Sequence, residues 1–420
     1  MFLTCKSSRR NGVGKVSTMP PVIAGCAVLS ALLPIHPSMQ PIWVASGIPS
    51  IVGFLVLYGP AVLYFFRRPV FARFELDVFL PFIIYLALML ISSLYSPAVG
   101  MPNWWSSFRS LALILPAMLM AACIAARNPQ AASFAIIGCG IMAGLHYGYL
   151  WGTGQAISEE AGGFGAIAVI EGVANYQATA FYIAIVGVWA ISLIEFQRRY
   201  LLAGSILFLL SVALMSTAGA RSSMVGLMIV VAFAIVATKF RQMVQVGFIG
   251  LVVVFAGVVL MYLVADESIG DALNSLPLVD RFLVLFEDGD SSHRVRLFLS
   301  ALEMWINSPV SLVFGGGVAA YPVFTGQSAE AGWYPHNFIL ESLAEGGVLV
   351  VLPLVFIIYK FIGSLNPKSL SGFSGIFIRN FALFSFAAYM FMGGIESVWI
   401  PLFALSLCLF STKPFVRISS

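Results

Sequence analysis

Long apolar stretches alternate with short polar or Gly/Pro-containing breaks along most of the chain. A helix needs about 20 predominantly apolar residues to cross the hydrocarbon core of a bilayer, and most of the stretches approach this length. They predict twelve membrane-spanning helices, near residues 20–36, 42–66, 77–95, 108–126, 131–151, 176–195, 201–219, 222–238, 243–264, 336–359, 376–394 and 396–411. The pattern therefore predicts an all-α integral membrane protein with about 12 transmembrane helices and one large loop between the ninth and the tenth.

The composition supports this class of protein. Of 420 residues, 60% are hydrophobic and only 10% are charged, with a mean hydropathy of +0.97. A soluble globular chain has about a quarter of its residues charged. A nucleic-acid binder, a secreted disulfide scaffold and a disordered chain are excluded. The five cysteines fall in predicted spans or the N-terminal tail, so we expect no disulfide in the outer loops, and no Cys/His spacing indicates a metal site.

The distribution of charge predicts the orientation of the helices. With the N-terminus in the cytoplasm, 17 of the 22 basic residues lie on the cytoplasmic side, as the positive-inside rule requires. The five predicted on the other side are Arg109, Arg221, Arg281, Arg294 and Arg296. Of the 18 acidic residues, 15 are predicted at or near this outer face. Both termini are therefore expected in the cytoplasm, and the polar chemistry of the protein is expected outside.

The chain divides into three parts at its long outer loop. Residues 1–264 carry nine predicted spans, residues 265–335 form the loop, and residues 336–420 carry three more. Apolar spacing predicts a helix over 295–306, followed by a turn at 307–309 and by the cluster Gly315-Gly316-Gly317. We expect the loop to form a folded cap on the membrane surface. The sequence contains no evident internal repeat, and this disfavours a carrier built from two related halves.

His336 is the first candidate for catalysis. It ends the outer loop and, after Pro335, begins a predicted span, so its imidazole would lie at the membrane interface. Histidine is the side chain best suited to proton transfer near neutral pH. A helical wheel places Asn337, Glu341 and Glu345 on one stripe beside it, and carboxylates in the first turns of a membrane helix usually face a polar cavity. The alternative is an interfacial histidine hydrated at the headgroups.

Arginines on the same outer side form the second candidate group. Arg221 lies in a break between two spans that is too short for a loop, and Arg294 and Arg296 begin the loop helix. Because the planar guanidinium binds phosphate bidentately, two or three of them near a histidine indicate an anion site. Alternatively, Arg221 anchors the interface while Arg294 and Arg296 pair with nearby acids. The neighbouring Asp288-Gly289-Asp290 resembles a metal-binding aspartate pair, but a solvated turn in an acidic loop is the favoured interpretation.

Three segments resemble the O-antigen ligase and polymerase superfamily of bacterial envelope glycosyltransferases. The first has His336-Asn337, then Leu340, then Glu345-Gly346-Gly347. The second has Arg294, Ala301-Leu302-Glu303, Pro309 and Gly315-Gly316-Gly317, with Phe298 where the family usually has tryptophan. The third, Ala218-Gly219-Ala220-Arg221-Ser222, is similar to an arginine-bearing turn after the family's seventh span. About twelve spans, cytoplasmic termini and one large periplasmic loop before the third-last span also fit this superfamily.

The resemblance implies a metal-independent, C-type membrane glycosyltransferase without a cofactor. Such an enzyme takes a glycan from undecaprenyl pyrophosphate at the periplasmic face of the inner membrane and transfers it to an acceptor hydroxyl. His336 would accept the proton of that hydroxyl, and Arg221 and Arg294 would hold the pyrophosphate. Arg296 could share the role of Arg294, although the two point in different directions on a helix. Asn337, Glu341 and Glu345 are possible supporting residues, whereas His146 and His293 receive no role.

Within the superfamily, the compact chain with one large outer loop favours a ligase that uses lipid A-core as acceptor. A polymerase of the O-antigen or an exopolysaccharide more often carries two sizeable loops. A lipid-linked glycan flippase is the alternative from another class, but it would be expected to carry charges in mid-span. The expected partners are the lipid-linked donor, lipid A-core and membrane lipids, without nucleic acid.

Overall fold

The structure is a computed structural model, and it describes residues 21–32, 52, 55, 59, 73–153, 169–170, 173–174, 176–218, 221–237, 291–326, 334–366 and 372–412. Within these residues the chain is almost entirely helical. In the part before the predicted loop, the helices are α1 (Pro21–Leu32), α2 (Arg73–Leu94), α3 (Pro102–Arg109), α4 (Leu115–Ala125), α5 (Pro129–Gly152), α6 (Tyr176–Phe196), α7 (Leu201–Ala218) and α8 (Arg221–Ala237). The later helices are α9 (Ser291–Ile306), α10 (Pro309–Phe314), α11 (Ala320–Phe324), α12 (Phe338–Ser364), α13 (Gly372–Met392) and α14 (Trp399–Ser411).

Six described segments are long and apolar enough to cross a membrane. They are Pro102–Ala125, Pro129–Gly152, Gln177–Phe196, Arg198–Ala218, Phe338–Ser364 and Gly372–Met392. Shorter apolar helices cover Val78–Leu94, Arg221–Ala237 and Trp399–Ser411. The expectation of a helical, multi-pass membrane protein is therefore confirmed. The number twelve stays a prediction, because the predicted span 243–264 and nearly all of 42–66 lie outside the described residues.

Two short elements depart from simple membrane helices. β1 (Val169–Ile170) and β2 (Val173–Ala174) form an antiparallel pair just before α6. Between α3 and α4, a π-helical turn at Ser110–Ile114 interrupts the predicted fourth span. Such turns widen a helix locally and are frequent at functional sites. Here the hydroxyl of Ser110 donates to the carbonyl of Glu396, at 2.8 Å, so this span is joined to the connection between α13 and α14.

Helices α6 and α13 are largely buried and pack against each other. Phe181 of α6 stacks on Phe384 of α13 at 5.0 Å, and at the other ends of these helices Glu195 pairs with Arg379. The two helices are therefore antiparallel. Arg379 was predicted as one of the basic residues of the cytoplasmic face, but its side chain is fully buried, and its Nη2 and Nε also donate to Asn380 Oδ1. It acts as an internal ion-pair partner rather than as an interfacial anchor.

The described part of the predicted outer loop is folded against α12. The helix expected at 295–306 is confirmed and begins four residues earlier, at Ser291. Ser308 caps α10 by accepting from Ser311 N at 3.0 Å, so the predicted turn leads into a short helix. One face of α9 forms a small apolar cluster with α11 and α12 that contains Leu297, Ala301, Met304, Ala320, Tyr321 and Ala344. Residues 265–290 and 327–333 of this loop lie outside the described residues.

Candidate functional site

His336 occupies an unusual backbone conformation immediately before α12. Its φ is 52°, a left-handed value that costs energy for residues with a side chain but is several-fold enriched for His, Asn and Asp. The next residue, Asn337, is the N-cap of α12, and its Oδ1 accepts from the backbone N–H groups of Ile339 and Leu340 at 3.0 and 3.1 Å. The imidazole lies beside the ring of Tyr334, with centroids 4.2 Å apart. The start of α12 therefore fixes the backbone that carries His336.

A kink in α12 brings together two segments described in the sequence analysis, Gly315-Gly316-Gly317 and Glu345-Gly346-Gly347. Gly347 has φ 68° and ψ −171° inside the helix, so the carbonyls of Ala344 and Glu345 are released from their helical partners. These carbonyls instead accept from Gly316 N at 2.9 Å and Gly317 N at 2.8 Å. We call this contact the glycine interlock: the turn Gly315-Gly316-Gly317 bound to the kink at Gly346-Gly347.

The interlock requires glycine at its closest points. A Cβ on Gly347 would collide with the carbonyl of Val313, and one on Gly315 would collide with the backbone of Glu345. Both glycines also have positive φ, which disfavours a side chain independently of the available space. The two motifs are separated in the sequence, but they are in direct backbone contact in the fold.

Two buried carboxylates brace the elements around α12. Glu345 Oε2 accepts from Ala319 N at 2.8 Å and its Oε1 from Tyr321 N at 3.3 Å, which holds Ala319 in a left-handed conformation with φ 61°. Glu341 Oε2 accepts from Ile395 N at 3.0 Å, in the connection between α13 and α14. Their side chains are buried inside protein, as expected for carboxylates at this position of a membrane helix.

Both carboxylates line a cavity of about 290 Å³. Its other polar walls come from α3, α6, α13 and the connections, and include Asn103, Ser107, Gln177, Tyr334, Tyr389, Glu396 and Ser397. We call this space the acidic cavity, because Glu341, Glu345 and Glu396 all contribute to it. His336 is not among its lining residues, but Tyr334, which lines the cavity, has its ring in contact with the imidazole.

An open groove adjoins the acidic cavity. It has a volume of about 710 Å³, shares Asn103 and Glu396 with the cavity, and includes Arg109 and the exposed Trp105. Glu396 contacts both spaces, and burial of its carboxyl raises the pKa of Glu396. A hydrogen bond with Ser106 and the positive charge of Arg109 act in the opposite direction and lower this pKa. Neither Arg109 nor Glu396 was a candidate from the sequence, where each lay among the outer charges without a motif.

Arg221 begins α8 at the same end of the molecule as the acidic cavity. The contacts of α8 with α13 fix this position, since Gly226 faces Ala388 while Phe233 faces Arg379, so the two helices are antiparallel. Five residues before Gly226 correspond to about 7.5 Å along a helix. Arg221 is therefore level with the C-terminal end of α13, where Met392 and Gly394 line the cavity. It is half-buried.

The other predicted residues are less closely connected to the cavity. Arg294 is in the first turn of α9, one turn before Leu297, but its side chain lies outside the description, as does that of His293. The carbonyl of Leu297 accepts from the hydroxyl of Tyr321 at 3.0 Å, and burial raises the pKa of that phenol to about 12. Arg296 is exposed on α9, and His146 is exposed on α5. Among the described residues, no group of three His, Cys, Asp or Glu side chains is placed to hold a metal ion.

The fold and the site define a multi-pass helical membrane protein whose polar cavity adjoins a glycine-braced histidine segment. A comparison with protein families identifies this arrangement further. Residues 206–355, about a third of the chain, match the family described as O-antigen ligase. This match confirms the resemblance to the O-antigen ligase and polymerase superfamily, and it contains Arg221, Arg294 and His336. A comparison with curated proteins gives no match.

Proposed function

We propose that this protein transfers an O-antigen glycan from undecaprenyl pyrophosphate to a sugar hydroxyl of lipid A-core, at the periplasmic face of the inner membrane. The observation that carries the proposal is the glycine interlock. It joins two of the segments that resemble the superfamily, both inside the matched residues 206–355, beside a polar cavity and on the helix that His336 precedes. The sidedness of the charges in the sequence supports the periplasmic orientation and the cytoplasmic termini.

In the proposed reaction, the acceptor hydroxyl attacks the anomeric carbon of the donor glycan. A new glycosidic C–O bond forms as the bond to the pyrophosphate breaks, and the lipid pyrophosphate leaves with the electron pair. The hydroxyl proton passes to the imidazole of His336. General base catalysis by a positioned histidine contributes typically 10²- to 10⁴-fold to a rate. The left-handed backbone at His336 and the N-cap at Asn337 would hold the imidazole in position for this step.

Arg221 and Arg294 would hold the pyrophosphate and neutralise the charge that develops as the sugar departs. A pyrophosphate is a good leaving group, so fixed guanidiniums supply the required electrostatic stabilisation. Arg221 lies at the level of the cavity, which is the position that this role needs. Asn337, Glu341 and Glu345 act in this proposal as positioning residues, because their described hydrogen bonds are to backbone N–H groups.

A polymerase of the same superfamily is the second candidate, because the sequence resemblance is to a superfamily that contains both ligases and polymerases. The experiment that separates them expresses the full chain in a strain that lacks its own O-antigen ligase and examines lipopolysaccharide by gel electrophoresis. Polymeric glycan on the core supports the ligase. If the chain instead restores polymeric O-antigen only in a second strain, one that lacks its own O-antigen polymerase, the protein is a polymerase. If it restores the glycan in neither strain, both candidate functions are contradicted.

The role of His336 is tested in the same assay with two substitutions. His336→Asn retains a residue type that tolerates left-handed φ, whereas His336→Ala does not, and both remove the proton acceptor. We expect both variants to reach the membrane and to lose transfer by at least about 100-fold. Activity of His336→Asn close to that of the wild type would mean that His336 serves only the backbone conformation.

The arginines are tested by charge-conserving substitution. Arg221→Ala and Arg294→Ala are expected to lower donor use by about 100-fold or more, as the loss of one stabilising donor commonly does. Arg294→Lys should recover only part of the activity, because lysine cannot form the bidentate contact. Full activity with lysine at this position would show that Arg294 acts only as a point charge.

A further inference from the structure

The acidic cavity has the size and the walls of a site for one small polar ligand. Its volume of about 290 Å³ is at the lower end of the range for small-molecule sites, roughly 300–1,000 Å³. Its walls come from five helices and from the connections that hold Tyr334 and Gly394. The two carboxylates on α12 are almost completely buried, at 5% exposure for Glu341 and 1% for Glu345, and the cavity is the space that they face.

The hydrogen-bonding capacity of these walls suits a ligand that carries several hydroxyls. Each carboxyl group has two oxygens that can accept hydrogen bonds, and the described hydrogen bonds use one oxygen of Glu341 and both oxygens of Glu345. The side-chain amides of Asn103 and Gln177 can donate and accept at the opposite walls. The ring of Tyr334 offers an apolar surface against which a sugar ring can pack.

The lining residues of the cavity disfavour a phosphate. Three glutamates contribute to its walls, and the lining residues that the structure describes include no lysine or arginine. Arg109 lies outside the cavity, in the adjoining groove, and Arg221 lies at the end of α8. We therefore expect an anionic ligand to bind outside this space, whereas a neutral or amine-bearing sugar would meet carboxyl groups, amides and hydroxyls within it.

We propose that the acidic cavity binds one neutral or amine-bearing sugar ring through its hydroxyls, and that this ring belongs to the acceptor. The assignment to the acceptor rests on the proposed function. The reacting sugar of the donor is bonded directly to pyrophosphate, so we expect it beside the arginines and outside a cavity whose described lining has no lysine or arginine. Asn103, Gln177 and Glu396 fall outside the matched segment 206–355, so these positions would set acceptor specificity separately from the shared chemistry.

A binding experiment tests the cavity without reference to transfer. Ligand-observed NMR of the full chain in detergent is recorded with glucosamine, N-acetylglucosamine and glucosamine 6-phosphate. We expect the first two to bind and the phosphate to bind at least tenfold more weakly. Asn103→Ala and Gln177→Ala should each weaken binding about 3- to 10-fold, since each removes one or two hydrogen bonds.

Two control variants make the binding result specific. Glu303→Gln on α9 and Asn307→Ala just after it change exposed residues that do not line the cavity, so both should bind the sugars as the wild type does. Equal binding of the sugar and its phosphate would overturn the proposal. So would the absence of binding by all three probes, or unchanged binding by Gln177→Ala.

A transfer experiment then assigns the ring to one substrate. If the ring belongs to the acceptor, Asn103→Ala and Gln177→Ala raise the KM for the acceptor about 3- to 10-fold and leave kcat and the KM for the donor nearly unchanged. A raised KM for the donor alone would assign the cavity to the donor glycan and overturn the acceptor assignment. If the wild type shows no transfer, the proposed function fails, while the binding experiment still decides whether the cavity takes a sugar.

Discussion

Single buried carboxylates hold separate parts of the site together. Glu345 joins α12 to the segment that begins α11, and Glu341 joins α12 to the connection before α14. Each replaces water as the acceptor for a buried backbone N–H group, and such groups are costly when they have no acceptor. Of the three residues that the helical wheel grouped, Glu341 and Glu345 line the acidic cavity and Asn337 caps α12, and their hydrogen-bond partners explain why they are polar.

Glu345→Gln tests this bracing role. Glutamine keeps one acceptor oxygen, so either Ala319 N or Tyr321 N loses its partner, and an unsatisfied buried group costs about 1–3 kcal/mol. We expect a lower thermal unfolding midpoint for the full chain in detergent. The matched control is Glu303→Gln, an exposed position on α9, where the change should be within about 0.5 kcal/mol. Equal midpoints for the two variants would contradict the role assigned to Glu345.

At the scale of elements, the kink divides α12 into two parts with different surroundings. Before it, Phe338, Glu341 and Glu345 are buried by protein. After it, Leu352, Val355, Tyr359 and Ile362 are exposed, and an exposed apolar face of this kind suits contact with lipid acyl chains. The helix thus carries the polar site at one end and an apolar membrane surface at the other.

Gly347→Ala should disturb this element far more than the same substitution elsewhere on α12. Alanine at φ 68° costs about 1–2 kcal/mol, and its Cβ would also collide with the Val313 carbonyl. Gly363→Ala is the control, because a Cβ there meets nothing within 4 Å and alanine favours a helix by about 1 kcal/mol. We expect opposite shifts in the thermal midpoint. A stable Gly347→Ala protein with full activity would show that the kink is dispensable.

Much of this organisation could be predicted from the sequence, because long apolar runs and a 3.6-residue period are local signals. The helix at 295–306 and the start of α12 were predicted in this way. The acidic cavity could not be predicted, since Asn103, Gln177 and Glu396 come from three distant segments and none stands in a motif. The burial of Arg379 also depends on a partner 184 positions away, Glu195, which charge counting cannot identify.

At the scale of the whole molecule, one ion pair joins helices that are far apart in sequence. Glu195 of α6 and Arg379 of α13 have side chains that are 5% and 0% exposed. Asn380 extends the pair, as its amide donates to Ser192 Oγ and to Glu195 Oε2, both at 3.1 Å. This polar network lies at the opposite end of α6 and α13 from the acidic cavity.

Removing one partner of this pair should destabilise the whole bundle. Arg379→Ala or Glu195→Ala leaves a buried charge without its counterpart, a loss of about 3–5 kcal/mol in comparable buried pairs. The double substitution to methionine should recover part of this loss. Arg198→Ala, at an exposed position near the end of α6, is the control. Thermal unfolding in detergent measures the stability of all four variants. A double variant that is destabilised by the sum of the two single losses would contradict a coupled ion pair.

The glycine interlock has a consequence for how members of this superfamily can be recombined. The turn at 315–317 and the kink at 346–347 meet through backbone atoms. A replacement for either segment must therefore keep a backbone shape that fits the other. A chimera that takes residues 291–326 from a relative should fold only when its kink segment has the same geometry. Segments such as α3 and the start of α6 form the cavity wall without this backbone contact, so they can be exchanged without altering the interlock.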